Sequence, residues 1–412
     1  MQRKQVGFIA LSTSGHRPKA HYLPLDSIRG LAASCVVILH FVISETMIAS
    51  FPNKAWVDVA FFHNAWMFVD LFFVLSGIVI SFSYTQFDFG TFSFRDFVVR
   101  RLARIYPLHI VTLFATLGFR LLKIAVVAFG VMHLVPAETP VNNLYSFVAN
   151  VFLLHALGVL DYLSWNGPSW SISAEFYTYL IFGAVLVFAQ RREDIRIVYI
   201  ASLLLILTSL LIMVFVMHRS AIDFHYQFGI VRCVFSFFLG VLTVRAVASI
   251  SAETPGLVKT TVQIGSVAVS ILLVCVVGII PEISFVAPLV FAVLLGSLMA
   301  FPTCVLPRVL SIAPLVWLGK RSYSIYMVHA LVLMPLEYAV RGVGSRRIEA
   351  FDSLFPGIAA STLLLMFVAA VLVLANLTYL YVEIPGSKFV LRFFNRAPAE
   401  ALAPMPGRVL GR

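Results

Sequence analysis

Eleven apolar stretches constrain the fold of this chain more than any other feature, because each approaches the length that a helix needs to cross a bilayer. About 20 apolar residues in a helix span roughly 30 Å of hydrocarbon, and a helix satisfies its backbone hydrogen bonds internally there. The sequence therefore predicts an all-α polytopic membrane protein. The stretches lie near residues 27–48, 65–84, 104–130, 143–158, 170–190, 197–218, 228–249, 261–280, 284–302, 315–338 and 357–383.

The composition of the chain leaves no room for a large soluble domain. Hydrophobic residues make up 60% of the 412 residues and charged residues only 12%, against about 25% charged residues in an average soluble domain. The four cysteines stand singly in apolar segments, without the paired spacing of a zinc or redox site. We expect packed, reduced thiols and no metal site at Cys35, Cys233, Cys275 and Cys304.

The net charge of +11 would suit a nucleic-acid partner, but the positions of the basic residues indicate another one. Lysine and arginine fall mostly in the short loops between apolar stretches, as the positive-inside rule describes for polytopic membrane proteins. The charge therefore orients the chain in a lipid bilayer, and we expect no nucleic-acid partner.

The two ends of the chain predict an even number of membrane crossings. Both tails are basic, so both should be cytoplasmic, and one of the eleven stretches must then fail to span. The stretch at 143–158 is the weakest, because it is short and contains Asn143, Asn150 and His155. We expect about ten transmembrane helices plus one short re-entrant or interfacial segment near 143–158. The loop with Arg341 fits this orientation poorly.

This topology divides the chain into three parts. Residues 1–24 form a cytoplasmic tail, because the apolar patch within them is too short for the core of a signal peptide. Residues 25–390 form the membrane domain, and residues 391–412 form a second cytoplasmic tail. The interpretation is that of a multi-pass protein of a bacterial inner, or cytoplasmic, membrane.

The first apolar stretch carries two ionisable residues, Arg29 and His40, which lie eleven residues apart. Eleven residues are close to three helical turns, so both side chains should share one face, separated by roughly 16 Å along the axis. Ionisable residues inside a membrane helix are costly and usually functional. Arg29 should lie at the cytoplasmic edge and His40 beyond the middle of the bilayer.

Three further ionisable residues should share the outer half of the membrane with His40. By their position in the predicted helices these are Asp70, Glu175 and His329. A buried histidine is neutral unless a carboxylate holds its proton, and a neutral imidazole is the form that a general base needs. We expect Asp70 or Glu175 to orient His40. The alternative is that His40 only hydrogen-bonds a neighbouring helix.

Basic residues collect at the cytoplasmic edge around Arg29. Guanidinium groups bind phosphate through paired hydrogen bonds, although such clusters often serve only as membrane anchors. With a reactive ring roughly 16 Å deeper, this edge suits a ligand that has a polyphosphate head, a long arm and a reactive end, as a coenzyme A thioester has. The candidate donor-binding residues are Arg29, Arg100, Arg101, Arg104, Lys320 and Arg321.

Six motifs in one order resemble the acyltransferase type 3 family of integral-membrane O-acyltransferases, over nearly the whole chain. They begin at residues 25, 69, 100, 166, 318 and 381 and read LDSIRGLAASCVVILH, VDLFFVLSGIVIS, RRLARIYPLH, NGPSWSISAEF, LGKRSYSIYMVH and YVEIP.

The resemblance implies a ten-helix bundle that moves an acyl group, usually acetyl from acetyl-CoA, to a hydroxyl of a carbohydrate or other glycosylated acceptor. It implies that Arg29 and His40 are the functional pair and that Glu175 is the acid of the tryptophan–serine motif. Some relatives carry an esterase-like domain after the last helix; we expect this chain to be the stand-alone form. We take Trp170, Tyr323 and His329 as candidates for binding the acceptor.

Several alternatives stay open at this point. His40 acts either as a general base or, less favoured, as the carrier of an acyl group. A proton-coupled transporter would use the same histidine and acids, but it leaves the basic edge unexplained, and the sequence lacks the repeated broken helices of many transporters. The acceptor, the length of the acyl chain and the oligomeric state, a homodimer among the options, are not determined.

Overall fold

The computed structural model describes residues 22–51, 57–86, 89–129, 141–251, 253–355 and 357–394. These residues form helices, turns and loops, and none of them lies in a β-strand. Most of the two predicted tails, 1–24 and 391–412, lies outside the described ranges.

The first half of the described chain contains nine α-helices, which include both long and very short ones. They are α1 (Leu23–Ile43), α2 (Glu45–Ser50), α3 (Ala60–His63), α4 (Phe68–Gln86), α5 (Phe94–Ala128), α6 (Leu144–Val151), α7 (Trp170–Arg191), α8 (Arg196–Leu211) and α9 (Gly229–Val247).

Eight more α-helices follow in the second half. They are α10 (Gly256–Val276), α11 (Ala287–Ala300), α12 (Val305–Leu310), α13 (Ala313–Lys320), α14 (Ser322–Val343), α15 (Ser345–Leu354), α16 (Ile358–Thr378) and α17 (Ile384–Phe394). Two π-helical turns continue α8 and α16, at Ile212–Val216 and Tyr379–Glu383.

Ten helical segments of the described chain are long and apolar enough to cross a membrane, which confirms the predicted fold. They correspond to ten of the eleven apolar stretches. The eleventh, at 143–158, contains only the eight-residue helix α6, far short of the length needed to span. Asn143 and Ser146 begin this helix with a reciprocal capping box, and the chain then turns at Phe152.

Close helix contacts at glycine hold the bundle together. Gly77 of α4 faces Gly240 of α9, and a Cβ atom on Gly77 would overlap the carbonyl group of Phe237. Gly30 of α1 faces Gly319 of α13 in the same way. Without a hydrophobic driving force between helices in lipid, such backbone approach supplies much of the packing energy. The second contact fixes helix α1, which carries Arg29 and His40.

We predict that Gly77→Ala lowers the stability of the protein while Gly118→Ala does not. The added methyl group at Gly77 meets backbone that cannot move independently, and overpacking of this kind costs about 1–3 kcal/mol. Nothing lies within 4 Å of a Cβ atom on Gly118 in α5, so this variant is the matched control. Thermal unfolding in detergent measures both, and equal midpoints for the two variants would contradict the close contact.

Candidate active site

His40 is held in one tautomer by its own helix. Its Nδ1 atom lies 2.9 Å from the carbonyl oxygen of Val36, one turn earlier in α1. A carbonyl oxygen only accepts hydrogen bonds, so Nδ1 carries the proton and Nε2 presents its lone pair. The imidazole is partly accessible rather than fully enclosed. His40 therefore has the bare nitrogen that a general base requires.

His329 of α14 lies directly against His40. Their ring centroids are 4.6 Å apart and the rings are tilted by 55°. Nδ1 of His329 lies 2.6 Å from the carbonyl oxygen of Tyr326, so this ring too carries its proton on Nδ1. Its Nε2 atom is buried and has no hydrogen-bond partner among the described residues. The expected common depth of the two histidines is matched by this contact.

His225 is a third histidine near His40, and it is not among the site residues predicted from the sequence. It lies between α8 and α9 and packs edge-on against Trp170, with ring centroids 5.2 Å apart. Burial, together with the positive charges of Arg232 and Arg219, lowers the pKa of His225 to about 3. The ring is therefore neutral at pH 7.

These three residues, His40, His225 and His329, are called the histidine cluster below. No sequence signal separates His225 from the other histidines in polar loops, because only the fold brings its loop to α1. Within the described part of the chain, no group of three His, Cys, Asp or Glu side chains has the arrangement of a metal site.

Asp70 binds Arg232 rather than His40. Nε and Nη2 of Arg232 lie 3.0 and 2.6 Å from the two carboxylate oxygens, and the Ser236 hydroxyl donates a third hydrogen bond at 3.0 Å. Neither side chain of the ion pair is exposed. Both oxygens of Asp70 accept hydrogen bonds from α9, so the structure pairs Asp70 with Arg232, and its predicted role in orienting His40 stays a prediction.

Trp170 lies beside the buried Asp70–Arg232 ion pair, and neighbouring side chains cover its ring. Its side chain is 4% exposed and packs edge-on against Phe73 as well as against His225. The guanidinium group of Arg232 lies 5.5 Å from its ring centroid. Trp170 thus supports His225 and the ion pair from within the core, which differs from the predicted role of contacting an acceptor.

A second polar cluster lies near the start of α1. We call Arg29, Arg101 and Arg104 the arginine cluster. Arg29 lies 3.5 Å from Asp26 and interacts electrostatically with Arg104 and Glu175. The guanidinium group of Arg101 lies 5.8 Å from the ring centroids of both Phe97 and Tyr179.

Arg104 is anchored by a residue near the other end of the chain. It donates a hydrogen bond to Glu383, which is 4% exposed and also accepts one from the Ser324 hydroxyl at 2.8 Å. Glu383 ends the π-helical turn Tyr379–Glu383, and such turns often occur at functional sites. The motif YVEIP belongs to the family resemblance, but sequence alone did not pair Glu383 with Arg104.

Glu175 of α7 lies beside the arginine cluster. Glu175 accepts a hydrogen bond from the Tyr179 hydroxyl at 2.5 Å. The Tyr179 hydroxyl oxygen also lies 2.7 Å from the Ser76 hydroxyl oxygen. The charge of Glu175 attracts Arg29. The structure thus places Glu175 beside Tyr179 and Arg29, and the role of Glu175 in holding the imidazole of His40 stays a prediction.

The remaining predicted donor-binding residues lie outside the arginine cluster. Arg100 is exposed, and its Nε donates to the carbonyl oxygen of Asp96 in its own helix. Lys320 is exposed. Arg321 donates to Asn376 at 2.7 Å and stacks on Trp317 with 4.2 Å between the guanidinium carbon and the ring centroid. On α5, Arg101 and Arg104 therefore belong to the arginine cluster and Arg100 does not.

One face of α14 connects the two clusters. Tyr323 lies under the guanidinium group of Arg104, 5.6 Å from ring centroid to guanidinium carbon, and donates to the carbonyl oxygen of Ile105 at 2.5 Å. Tyr326, one turn further, donates to the carbonyl oxygen of Pro168 at 3.0 Å. His329 follows one turn later against His40. Tyr323 is therefore placed beside the arginine cluster, away from the histidines.

We predict that Asp70→Leu destabilises the protein by about 3–5 kcal/mol, because it leaves the Arg232 guanidinium group buried without a counter-charge. The double variant Asp70→Leu/Arg232→Met should recover most of this loss, since it removes both charges. Thermal unfolding in detergent measures the difference.

The surface pair Asp194–Arg196, whose arginine is exposed, is the control for this prediction, and Arg196→Met should leave the unfolding midpoint nearly unchanged. A single Asp70→Leu variant that unfolds with the wild-type midpoint would be inconsistent with a buried ion pair.

Comparison with known proteins identifies related sequences. Residues 23–379 match a family described as an acyltransferase domain. A candidate peptidoglycan O-acetyltransferase of Bacillus subtilis strain 168 is 27% identical over 408 residues, which cover 92% of this chain and 57% of the relative. A candidate O-acetyltransferase of Staphylococcus aureus strain COL is 24% identical over 92% of this chain and 60% of its own length. The chain thus spans less than two thirds of these relatives. No solved structure matches it.

Proposed function

The chain belongs to the acyltransferase 3 family, and from this premise we propose that it is a membrane O-acyltransferase that uses acyl-CoA, in the first instance acetyl-CoA, as its donor. The acceptor is a hydroxyl group of a carbohydrate or glycosylated molecule. The name of the Bacillus subtilis relative makes a peptidoglycan glycan the first acceptor to test.

The observation that carries this proposal is that one helix, α1, carries a member of each of two different polar clusters. Arg29 and His40 lie in the uninterrupted helix α1, so they are about 16 Å apart at 1.5 Å per residue. The tyrosine face of α14 borders both clusters. A thioester with a phosphorylated head and a long arm has the dimensions to reach from the arginine cluster to the histidine cluster.

The arginine cluster would bind the phosphates of the donor. Guanidinium groups bind phosphate through two parallel hydrogen bonds. Arg29 and Arg101 are the candidate donors here: the Nε atom of Arg101 is buried without a hydrogen-bond partner among the described residues, and the hydrogen bond from Arg29 to Asp26 is long, at 3.5 Å. Glu383 keeps Arg104 extended beside Tyr323.

His40 would act as the general base. Its Nε2 takes the proton of the acceptor hydroxyl, whose oxygen forms a bond to the acyl carbon as the carbon–sulfur bond breaks. The proton on Nε2 then passes to the leaving thiolate. General-base assistance contributes about 10²- to 10⁴-fold to the rate. The Val36 carbonyl holds the tautomer that this step needs.

The orientation of the protein follows from the same proposal. The arginine cluster faces the cytoplasm, where acyl-CoA is made, and the acceptor reaches the histidine cluster from the outer side of a bacterial cytoplasmic membrane. Both termini are then cytoplasmic. The basic residues at the start of α5 and near the ends of α7 and α9 support this orientation, because positive residues are enriched on the cytoplasmic side.

We predict that His40→Gln abolishes the release of free CoA thiol when purified protein is given acetyl-CoA and a peptidoglycan fragment. Glutamine keeps the size and polarity of the side chain but cannot take a proton. A thiol-reactive dye measures the released CoA, and this assay also separates an enzyme from a transporter, which releases none.

The control is His63→Gln, because His63 lies outside the cluster and pairs with Asp58. Full CoA release by His40→Gln would exclude His40 as the base. No release by the wild-type protein with any acyl-CoA would argue against the function as a whole.

We predict that Arg29→Lys raises the KM for acetyl-CoA about tenfold and changes kcat little. Lysine keeps the charge but loses the paired donors of the guanidinium group, so the loss falls on donor binding. The matched control is Arg196→Lys, at an exposed arginine far from the cluster along the chain. An unchanged KM in Arg29→Lys would assign Arg29 a role other than binding phosphate.

A further inference from the structure

Two members of the histidine cluster, His40 and His329, each keep one ring nitrogen without a hydrogen bond to the described residues, while a single acceptor hydroxyl has only one proton to donate. His40 and His329 both use Nδ1–H to bond a carbonyl oxygen of their own helix. In each ring Nε2 is therefore the nitrogen not bonded to its own helix, and the two rings lie 4.6 Å apart where α1 meets α14.

The second bare nitrogen is costly if it stays unpaired. His329 is fully buried, and a buried acceptor without a hydrogen bond costs about 1–3 kcal/mol. Protonating Nε2 would not relieve this cost, because it would create a buried charge. The nearest carboxylate on the facing helix α4, that of Asp70, is already neutralised by Arg232.

We propose that His329 is a specificity residue that binds a second hydrogen-bond donor of the acceptor, a hydroxyl or an amide N–H next to the hydroxyl that reacts at His40. The acceptor class is then a sugar with two neighbouring donors. This inference rests on the proposed function and adds to it the chemistry of the accepted molecule.

The geometry assigns the two rings different tasks. His40 is partly accessible and lies on the helix that also carries Arg29, so it faces the reacting end of the donor. His329 is enclosed between Tyr326, whose ring centroid lies 5.8 Å away, and His40. A group bound at His329 therefore aligns the sugar beside the reacting hydroxyl, and a hydroxyl or amide satisfies a lone pair that an ether oxygen leaves unpaired.

The test combines acceptor analogues with a variant, as in a double-mutant cycle. The probes are the disaccharide of N-acetylglucosamine and N-acetylmuramic acid and its analogues, each of which lacks one hydroxyl or the amide N–H. For the wild-type protein, the analogue without the reacting hydroxyl should give no transfer. The analogue without the donor that binds His329 should have a kcat/KM about 10- to 100-fold lower, as expected for an unpaired buried acceptor.

In His329→Ala, kcat/KM for the complete disaccharide should fall by a similar factor. In the same variant, the analogue without the donor that binds His329 should have the same kcat/KM as the complete disaccharide. The KM for acetyl-CoA should stay unchanged. His109→Gln is the matched control, because His109 is also buried in a spanning helix and also has one unpartnered ring nitrogen, but it bonds Asn150 away from the cluster.

A second measurement does not depend on the identity of the acceptor. Mass spectrometry of surface glycans from cells that produce each variant should show at least tenfold less acylation with His329→Ala and normal acylation with His109→Gln, at equal protein levels. Wild-type acylation with His329→Ala would overturn the inference and leave the proposed function intact. Wild-type acylation with His40→Gln would instead remove the base on which the proposed function depends.

Discussion

The bundle is built around a helix that carries ionisable groups through a region without water. Helix α1 brings Arg29 and His40 into the membrane domain, and each needs partners that do not come from solvent. Arg29 interacts with Asp26 of its own helix and with Glu175 and Tyr179 of α7. His40 bonds the Val36 carbonyl of its own helix and lies against His329 of α14. One end of the helix is therefore suited to binding anions, and the other to accepting a proton.

Two other contacts keep these groups in register. The glycine contact between Gly30 and Gly319 fixes α1 against α13, and the ion pair between Asp70 and Arg232 fixes α4 against α9. Arg232 also reaches the carbonyl oxygen of Phe224 at 3.1 Å, directly before His225. The buried charge pair thus positions the loop that carries the third histidine, although it touches neither Arg29 nor His40.

The hydropathy of the sequence was sufficient for the fold. It predicted ten crossings and excluded the segment at 143–158, because length and polarity act locally and leave a direct trace in the order of residues. The pairing of Arg29 and His40 on one face was equally accessible, since helical periodicity relates the two positions.

Partners from distant helices were not accessible from sequence. Asp70 and Glu175 were expected beside His40 because they share its approximate depth, but depth does not fix which way a side chain faces across the bundle. Arg232, the partner of Asp70, was not predicted as a site residue, because it is a single charge within the apolar stretch 228–249. Glu383 reaches Arg104 only because a π-helical turn interrupts the last long helix, and helical periodicity does not predict such a turn.

The central claim is that one extended thioester contacts both the arginine cluster and the histidine cluster. A cryo-electron microscopy structure of the protein with a thioether analogue of acetyl-CoA, in which the reactive bond cannot break, tests it most directly. We predict density for the phosphates at Arg29 and Arg101. We also predict that the acyl carbon lies beside His40, so that an acceptor oxygen hydrogen-bonded to Nε2 would be about 3.5 Å from this carbon, the separation of reacting atoms before attack. Phosphates bound elsewhere, or an arm that leaves the bundle without approaching His40, would contradict the account.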